Sequence, residues 1–290
     1  MTVLIALAVS YLTILIAKAA LAIGVAKREP THAPCRGEGV AILQPILSGD
    51  PRLGDVLADN VRALPAAHFL WLVDTDDPVG EAIAREVAAR FPEAQVEVLV
   101  FPPPPEGKNP KLWKLEAAWR LTNEPALLVL DDDTRLPATT LAALVAALAQ
   151  HDLATSLPGY LHDGRWPSRL LSQFVANNAG LTYLPLLPFA APITINGMAY
   201  LIRREMLEAM GGFAPLLGYL TDDLAVAEAV LARGGTIFQS ARPHAVETTV
   251  RNGKHYTQLM HRWFLFAVLL MNKQPLRWRL GIGTLHGLPP

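Results

Sequence analysis

The sequence predicts an α/β fold with a mostly parallel central sheet, preceded by an N-terminal membrane helix. Short apolar runs alternate with segments of helical spacing after residue 39, and a continuous apolar stretch covers residues 3–26. The composition agrees, because 51% of the 290 residues are hydrophobic and only 18% are charged, against about 25% in a typical soluble domain. This apolar content excludes intrinsic disorder. The net charge of −1 gives no basic field for nucleic acid, and the single Cys35 excludes an internal disulfide.

The apolar stretch at the N-terminus predicts a transmembrane anchor over residues 1–28. Its 24 central residues carry one charge, Lys18, and at about 1.5 Å per residue they are long enough to cross a bilayer. A cleaved signal peptide and a buried soluble helix are the alternatives, but no basic residue precedes the stretch as a signal peptide requires. Lys27 and Arg28 follow it directly, which predicts that the rest of the chain is cytoplasmic. Residues 29–38 are expected to form a linker.

Alternating strands and helices are predicted from residue 40 onward. Continuous apolar runs predict strands at 40–47, 69–73, 96–101 and 126–130, and helical spacing predicts helices at 53–64, 79–90, 110–120, 138–149 and 224–232. Such strands, apolar on both faces, are typical of a parallel sheet with helices on either side. Ligands of these sheets bind beyond the carboxy-terminal ends of the strands.

Acidic residues cluster where two of these strands end. Asp74 and Asp76 follow the second strand, and Asp131 to Asp133 follow the fourth. Adjacent carboxylates repel one another, and a divalent cation such as Mg²⁺ or Mn²⁺ removes that repulsion. The alternative is a solvated turn in which the aspartates cap helices.

A third acidic pair, Asp222 and Asp223, precedes the predicted helix at 224–232. Capping of that helix explains Asp222 as well as a function does. Gly197 is predicted to lie on a strand, either to admit a substrate closely or to form a bulge.

Taken in order, these segments resemble the ceramide glucosyltransferase family, glycosyltransferase family 21, whose members include bacterial hopanoid-associated lipid glycosyltransferases of the GT-A type. The matching segments span residues 39–271 and read VAILQPI, VDTDDP, GKNPKLWKL, LDDDTRL, NGMAYLIRREMLEAMGGF, YLTDDLAVAEAV and HRW. The resemblance implies a GT-A catalytic domain at residues 39–250. It also implies a membrane-associated helical segment at residues 251–290, where the apolar run 264–271 is too short to span.

The resemblance also implies roles for the matched residues. Asp74 is expected near the uridine, Asp131 and Asp133 at the metal and diphosphate, and Asp223 as the general base. Arg262 and Trp263 match a carboxy-terminal Arg-Trp pair that is expected at the diphosphate and the acceptor. The remaining positions expected to bind the substrate or nucleotide are Pro45, Asp76, Lys108, Asn109, Lys111, Gly197 and Asp222. For Lys108 and Lys111 an alternative is equally well supported, namely that they are solvated lysines of a loop.

The chain departs from the family pattern at two positions. Leu259 stands three residues before Arg262, where the family has Gln or Arg, and Gln258 is one place too early. Lys114 replaces an asparagine that usually follows the Asn-Pro-Lys segment. These departures affect the identity of the acceptor more than the donor chemistry.

The predicted reaction is inverting transfer of a hexose, with glucose favoured, from a UDP-sugar to the hydroxyl of a membrane lipid such as ceramide. The expected location is a bacterial inner membrane with a single N-terminal span. A processive polysaccharide synthase and a non-enzymatic membrane scaffold are the alternatives. A phosphatase of the haloacid dehalogenase type is disfavoured, because Arg135 and Pro78 stand where its motif requires Thr or Val.

Overall fold

A computed structural model of the chain describes residues 2–272, 275–276 and 279–280. The end of the predicted membrane-associated segment, including residues 281–290, lies outside the described residues.

Helices and strands alternate along the chain as predicted. Their bounds, in chain order, are α1 (Thr2–Arg28), β1 (Val40–Pro45), α2 (Leu53–Ala63), β2 (His68–Asp74), α3 (Pro78–Ala89), β3 (Val96–Phe101), α4 (Pro110–Ala118), β4 (Ala126–Leu130), β5 (Thr134–Arg135), α5 (Ala138–Ala147), β6 (Leu153–Tyr160), α6 (Trp166–Tyr183), β7 (Ala199–Arg203), α7 (Arg204–Ala209), α8 (Asp222–Ala232), β8 (Ile237–Val246) and α9 (Gly253–Asn272). Short 3₁₀ turns occur at Trp119–Leu121 and Ala214–Leu216.

The strands form one mixed sheet in the order β3-β2-β1-β4-β7-β6-β8-β5. The first half is parallel, since β3, β2, β1 and β4 pair side by side in the same direction. Strand β7 runs against both of its neighbours, β4 and β6, and β5 runs against β8. The central sheet is therefore parallel in the half where the acidic clusters were predicted, and mixed beyond it.

Two apolar cores cover the faces of the sheet. Side chains of β1 and β2 alternate between them, so that Ile42 and Trp71 belong to one core while Leu43 and Leu72 belong to the other. Helices α2, α3 and α5 pack on the first face, and α4, α7 and α8 pack on the second. This arrangement confirms the predicted helix-covered sheet.

Three local predictions are corrected by the structure. Helix α3 begins at Pro78 because Asp77 caps it, accepting a hydrogen bond from the Gly80 amide at 2.9 Å. Helix α8 begins at Asp222, two residues before the predicted start, which places both aspartates in its first turn. Gly197 lies in a turn that precedes β7 and not on a strand.

Helix α1 is, within the described residues, the one helix long and apolar enough to cross a membrane by length and composition. Its last turns pack on the rest of the chain, where Ala22 joins an apolar cluster with Leu157 and Leu184. Just beyond the helix, the Glu29 carboxylate accepts a hydrogen bond from the Ala241 amide at 2.6 Å. The end of α1 is therefore held against β6, β8 and the end of α6.

Candidate active site

The three acidic clusters meet at one edge of the sheet. Asp74 is the last residue of β2, and Asp131 directly follows β4. Both strands pair in parallel with β1, so their carboxy-terminal ends lie at the same edge. The turn before β7 lies at this edge too, because the Asp131 amide donates to the Met198 carbonyl at 2.9 Å.

Lys111 joins the second and third clusters. Its ammonium group lies 2.7 Å from Asp131 Oδ1 and 2.8 Å from Asp222 Oδ2, and it donates to the Gly197 carbonyl at 2.8 Å. Its three N–H donors therefore all have partners, and two acidic sites that are 91 positions apart in sequence share one cation. The two carboxylates hold the pKa of Lys111 well above its usual value in spite of burial.

Lys114 holds the first cluster in a similar way. Its ammonium group lies 2.8 Å from Asp74 Oδ2 and donates to the Ile46 carbonyl at 3.0 Å, and the residue is buried. Lys111 and Lys114 are three residues apart on α4, which is the spacing that puts two side chains on one face of a helix. The lysine that departs from the family pattern is therefore the ion-pair partner of Asp74.

The loop before α4 is fixed by Asn109. The Asn109 side chain caps the helix by accepting from the Lys111 amide at 3.0 Å, and its own amide group donates to the Tyr219 carbonyl at 3.1 Å. Asn109 thus ties the loop to the segment that leads into Asp222. Lys108 is exposed beside Gly107, whose φ of 76° favours glycine. Pro45 is the last residue of β1, at the same edge of the sheet, and is half-buried.

Asp223 is packed against Gly197. A Cβ at Gly197 would lie 3.0 Å from Asp223 Cβ, so the missing side chain lets α8 approach this turn closely. Burial raises the pKa of Asp223 to about 7, and the charge of Asp222 adds to the rise. A carboxyl group with such a pKa takes up and releases a proton near neutral pH.

A cavity of about 200 Å³ opens beside the second cluster. Asp132 and Asp133 line part of it, and residues of the loop after β1, of α2, of the segment after β8 and of α9 line the rest, including Asp50, Glu247, Thr248, Arg251 and His255. Asp74, Asp131 and Asp223 do not line this cavity, since the first two carboxylates face Lys114 and Lys111 and Asp223 packs on Gly197.

Asp132 and Asp133 supply the cavity with carboxylate oxygens, the ligands that a hard divalent cation prefers, and within the described residues neither side chain forms an ion pair. No group of three or more His, Cys, Asp or Glu side chains among the described residues is arranged around a metal position. Burial and the charge of Asp133 raise the pKa of Asp132 to about 8. Burial raises the pKa of Asp131 to about 6, and the charges of Asp133 and Asp222 add to the rise. The positive charge of Lys111 opposes it. A cation at these carboxylate oxygens would relieve their repulsion.

Arg262 and Trp263 lie on α9, whose residue His255 lines the cavity, but neither of them lines it. Arg262 is exposed and stands seven residues after His255, on the same face of the helix. Burial lowers the pKa of His255, and the charges of Arg251 and Arg262 lower it further. The Trp263 ring packs edge-on against Tyr160 at 5.5 Å and stacks on Phe174 at 6.3 Å. Leu259 is buried in the same cluster, whereas Gln258 is exposed.

Several residues of this site were not predicted from the sequence. Asp50 and Arg251 reach the cavity from loops and His255 from the first turn of α9, and no motif marks them. Lys114 was noted only as a departure, although its spacing from Lys111 carried the signal of a shared helix face. Asp76, in contrast, was predicted as a binding residue and is exposed in the turn after β2.

Comparison with known proteins identifies the family. A sequence model described as glycosyl transferase family 21 matches residues 1–279. The chain belongs to glycosyltransferase family 21. This membership confirms the family that the ordered segments resembled.

The chain is also similar to curated relatives and to a solved structure. Ceramide glucosyltransferases 1 and 3 of Caenorhabditis elegans are each 19% identical over 80% of this chain, which spans about half the length of these curated relatives. A mannosyltransferase from Pyrobaculum calidifontis, solved with GDP-mannose and Mn²⁺, has 18% identity and a TM-score of 0.58, covering 89% of this chain and 71% of that one. The structural likeness shows the GT-A fold that was predicted for the chain.

Proposed function

We propose that this chain transfers a hexose from a UDP-sugar to the hydroxyl group of a membrane lipid, with inversion at the anomeric carbon. The observation that carries the proposal is the joining of Asp131 and Asp222 by Lys111, which brings a candidate base beside a cation-binding edge of the sheet. The family supports glycosyl transfer, and the names of the curated relatives favour glucose and ceramide.

In this proposal Asp223 is the general base. The acceptor oxygen attacks the anomeric carbon, the bond from that carbon to the diphosphate oxygen breaks, and the hydroxyl proton passes to an Asp223 carboxylate oxygen. A single displacement of this kind needs no carboxylate nucleophile. The pKa of about 7 suits the transfer, because the carboxylate form is available near neutral pH.

In this proposal Asp133 holds the divalent cation, because it lines the cavity and its carboxylate is paired with neither lysine. Asp131 would share its carboxylate between Lys111 and the cation. The bound cation would neutralise negative charge on the leaving diphosphate. Arg251 would add positive charge from the cavity lining, Arg262 from α9 near His255, and Lys108 from the exposed loop.

Asp74, held by Lys114, is proposed to face the nucleoside. One of its oxygens is buried without a hydrogen-bond partner within the described residues, so it is free to accept from a bound nucleotide. We also propose that α1 spans the membrane with the catalytic part on the cytoplasmic side, as Lys27 and Arg28 at its end favour.

The test incubates membranes that contain the full chain with labelled UDP-glucose, UDP-galactose and GDP-mannose, with and without Mn²⁺ or Mg²⁺, and analyses the lipids. We expect label in a glycolipid from a UDP-sugar, and only with metal. Asp223→Asn is expected to lower the rate by about 10²–10⁴-fold and to leave binding of UDP with Mn²⁺ intact.

Exposed Glu93 provides the matched control, since Glu93→Gln removes a carboxylate of the same kind away from the site and should leave the rate unchanged. Label found only in a long polymer would indicate a polysaccharide synthase instead. An Asp133→Ala variant with full turnover would contradict the cation role, and absence of transfer from every donor would favour a scaffold.

A further inference from the structure

A second cavity lies beside the candidate membrane helix. It has a volume of about 290 Å³ and separates α1 from the end of α6 and the turn that follows. Of the described residues that line it, Lys18 alone is charged. The apolar lining comes from both walls and includes Ile14, Ala17, Leu21, Leu181, Leu186 and Phe189. We name this feature the α1–α6 groove.

The groove lies beside a helix that is suited to the hydrocarbon core of a bilayer, so lipid chains would reach it. Its α1 wall belongs to the helix that is apolar and long enough to span a bilayer, and its positions lie within about two turns before Ala22, where α1 packs on the rest of the chain. On the opposite wall Phe189 is 73% exposed. An exposed apolar surface beside a membrane helix is the kind of surface that lipid chains cover.

The opposite wall also leads to the candidate base. Tyr183, in the last turn of α6 next to the lining residue Thr182, is hydrogen-bonded to the side chain of Asn196. Asn196 precedes Gly197, which packs on Asp223. Burial raises the pKa of Tyr183 to about 12, and the charge of Asp223 contributes to the rise, which agrees with their proximity.

Two exposed apolar side chains lie close in sequence to the candidate base and its neighbours. Leu220 is 75% exposed two residues before Asp222, and Ile193 is 39% exposed three residues before Asn196. Charged residues, in contrast, line the cavity beside Asp133.

We propose that one hydrocarbon chain of the acceptor lipid occupies the α1–α6 groove and brings the lipid hydroxyl to Asp223. Helix α1 is then a wall of the acceptor site as well as an anchor. The inference rests on the proposed function. The cavity lies near the lower end of the roughly 300–1,000 Å³ typical of small-molecule sites, so it holds part of one chain while the remainder stays in the bilayer.

The direct test is photo-crosslinking of the full chain in phosphatidylcholine vesicles with a ceramide that carries a diazirine on its acyl chain. We expect labelled peptides from residues 14–21 and 181–189, and loss of this label on addition of unmodified ceramide. Label confined to residues 253–272, or label that extra phosphatidylcholine removes as efficiently as ceramide does, would overturn the proposal.

A matched pair of variants tests the same groove by kinetics. Ala17→Phe fills the groove, whereas Ala8→Phe makes the same change about two and a half turns away on the opposite face of α1. We expect Ala17→Phe to raise KM for long-chain ceramide about tenfold, the effect of excluding about two methylene groups, and Ala8→Phe to leave it unchanged. Equal effects of the two variants would contradict the proposal.

Two further readouts separate this inference from the proposed function. Ala17→Phe should bind UDP with Mn²⁺ as the unmodified chain does, and it should glycosylate a ceramide analogue with truncated chains at an unchanged rate. If the unmodified chain transfers sugar but Ala17→Phe shows no chain-length effect, the groove proposal fails while the proposed function stands. If the unmodified chain transfers to no lipid, the proposed function fails first.

Discussion

Two lysines on one face of α4 neutralise carboxylates from three separate parts of the chain. Lys111 contacts Asp131 and Asp222, and Lys114 contacts Asp74. Asp131 and Asp222 lie 2.7 Å and 2.8 Å from the same ammonium group, so these partly buried carboxylates would repel one another strongly without it. The face of α4 therefore has a structural role at the site in addition to any contact with a diphosphate.

Removal of Lys111 is predicted to destabilise the fold. Lys111→Met leaves Asp131 and Asp222 close together without their shared cation, and we expect a loss of about 2–4 kcal/mol in the free energy of unfolding. Adding Asp222→Asn to this variant should restore a large part of the loss, because one of the repelling charges is removed. Denaturant unfolding of the detergent-solubilised chain measures both effects.

Lys108 provides the control for this prediction. It is an exposed lysine in the loop just before α4, so Lys108→Met should change the free energy of unfolding by less than about 0.5 kcal/mol. Equal destabilisation by the two single variants, or failure of Asp222→Asn to restore stability, would show that Lys111 does not hold the acidic clusters together.

At the scale of single residues, the sequence identified the acidic positions but not their partners. Asp131 and Asp222 were marked by adjacent carboxylates at the end of a strand and before a predicted helix. Their contact through Lys111 depends on the pairing of β4 with β7 and on the position of α8, which no local pattern encodes. For the same reason Arg251 and His255 were not predicted.

Among the elements, α9 shows how a departure from a family pattern is accommodated. Leu259 packs with Leu171 and Val250, and Trp263 adds its ring to the same cluster. A glutamine at position 259 would bury an amide group in this cluster without an evident partner. The helix is thus attached by apolar packing, and Arg262, next to Trp263, is exposed.

Loss of the Trp263 ring is predicted to loosen α9. Trp263→Ala removes the contacts with Tyr160 and Phe174, and we expect the local opening free energy of residues 253–272 to fall by about 1–3 kcal/mol, since the ring is half-buried. Hydrogen exchange of the chain in a bilayer disc, followed by mass spectrometry, measures this change. Trp263→Phe should retain much of the protection.

Val268 serves as the comparison, because it lies on α9 and is 54% exposed. Val268→Ala should change exchange within residues 253–272 by much less than Trp263→Ala. Unchanged exchange in Trp263→Ala would mean that the aromatic cluster does not attach the helix and that Trp263 is available to contact an acceptor.

For the whole molecule, a buried histidine couples the stability of the sheet to pH. His244 on β8 is buried, and its Nδ1 lies 2.8 Å from Ser156 Oγ on β6. Burial lowers the pKa of His244 from 6.5 to about 3. The folded chain therefore keeps this imidazole neutral under conditions in which the unfolded chain protonates it.

The sign of the effect follows from the lowered pKa. Above pH 6.5 the histidine is neutral in both states, so it costs no stability; as the pH falls toward 3 the unfolded state binds the proton and stability is lost. Between pH 7.5 and 4.5 this loss is about 3 kcal/mol. His244→Asn should remove that part of the pH dependence in denaturant unfolding, whereas replacement of the exposed His162 by Asn should not.

Much of the fold was predictable because its signals are local. Strands β1 to β4 and helices α1 to α5 follow from apolar runs, helical spacing and capping residues, each of which acts within a few positions of the chain. Strands β6 and β8 and helix α6 were not predicted. The mixed half of the sheet depends on pairings between distant segments, such as β6 with β8.

The sequence by itself determined the family, the strand–helix alternation, the apolar N-terminal helix and the positions of the acidic clusters, because these are encoded by residue type and short spacing. Only the tertiary structure decided which carboxylates share Lys111, which ones line the cavity and where α6 lies against α1. These contacts join residues that are far apart in the chain, and they form only when the whole sheet assembles.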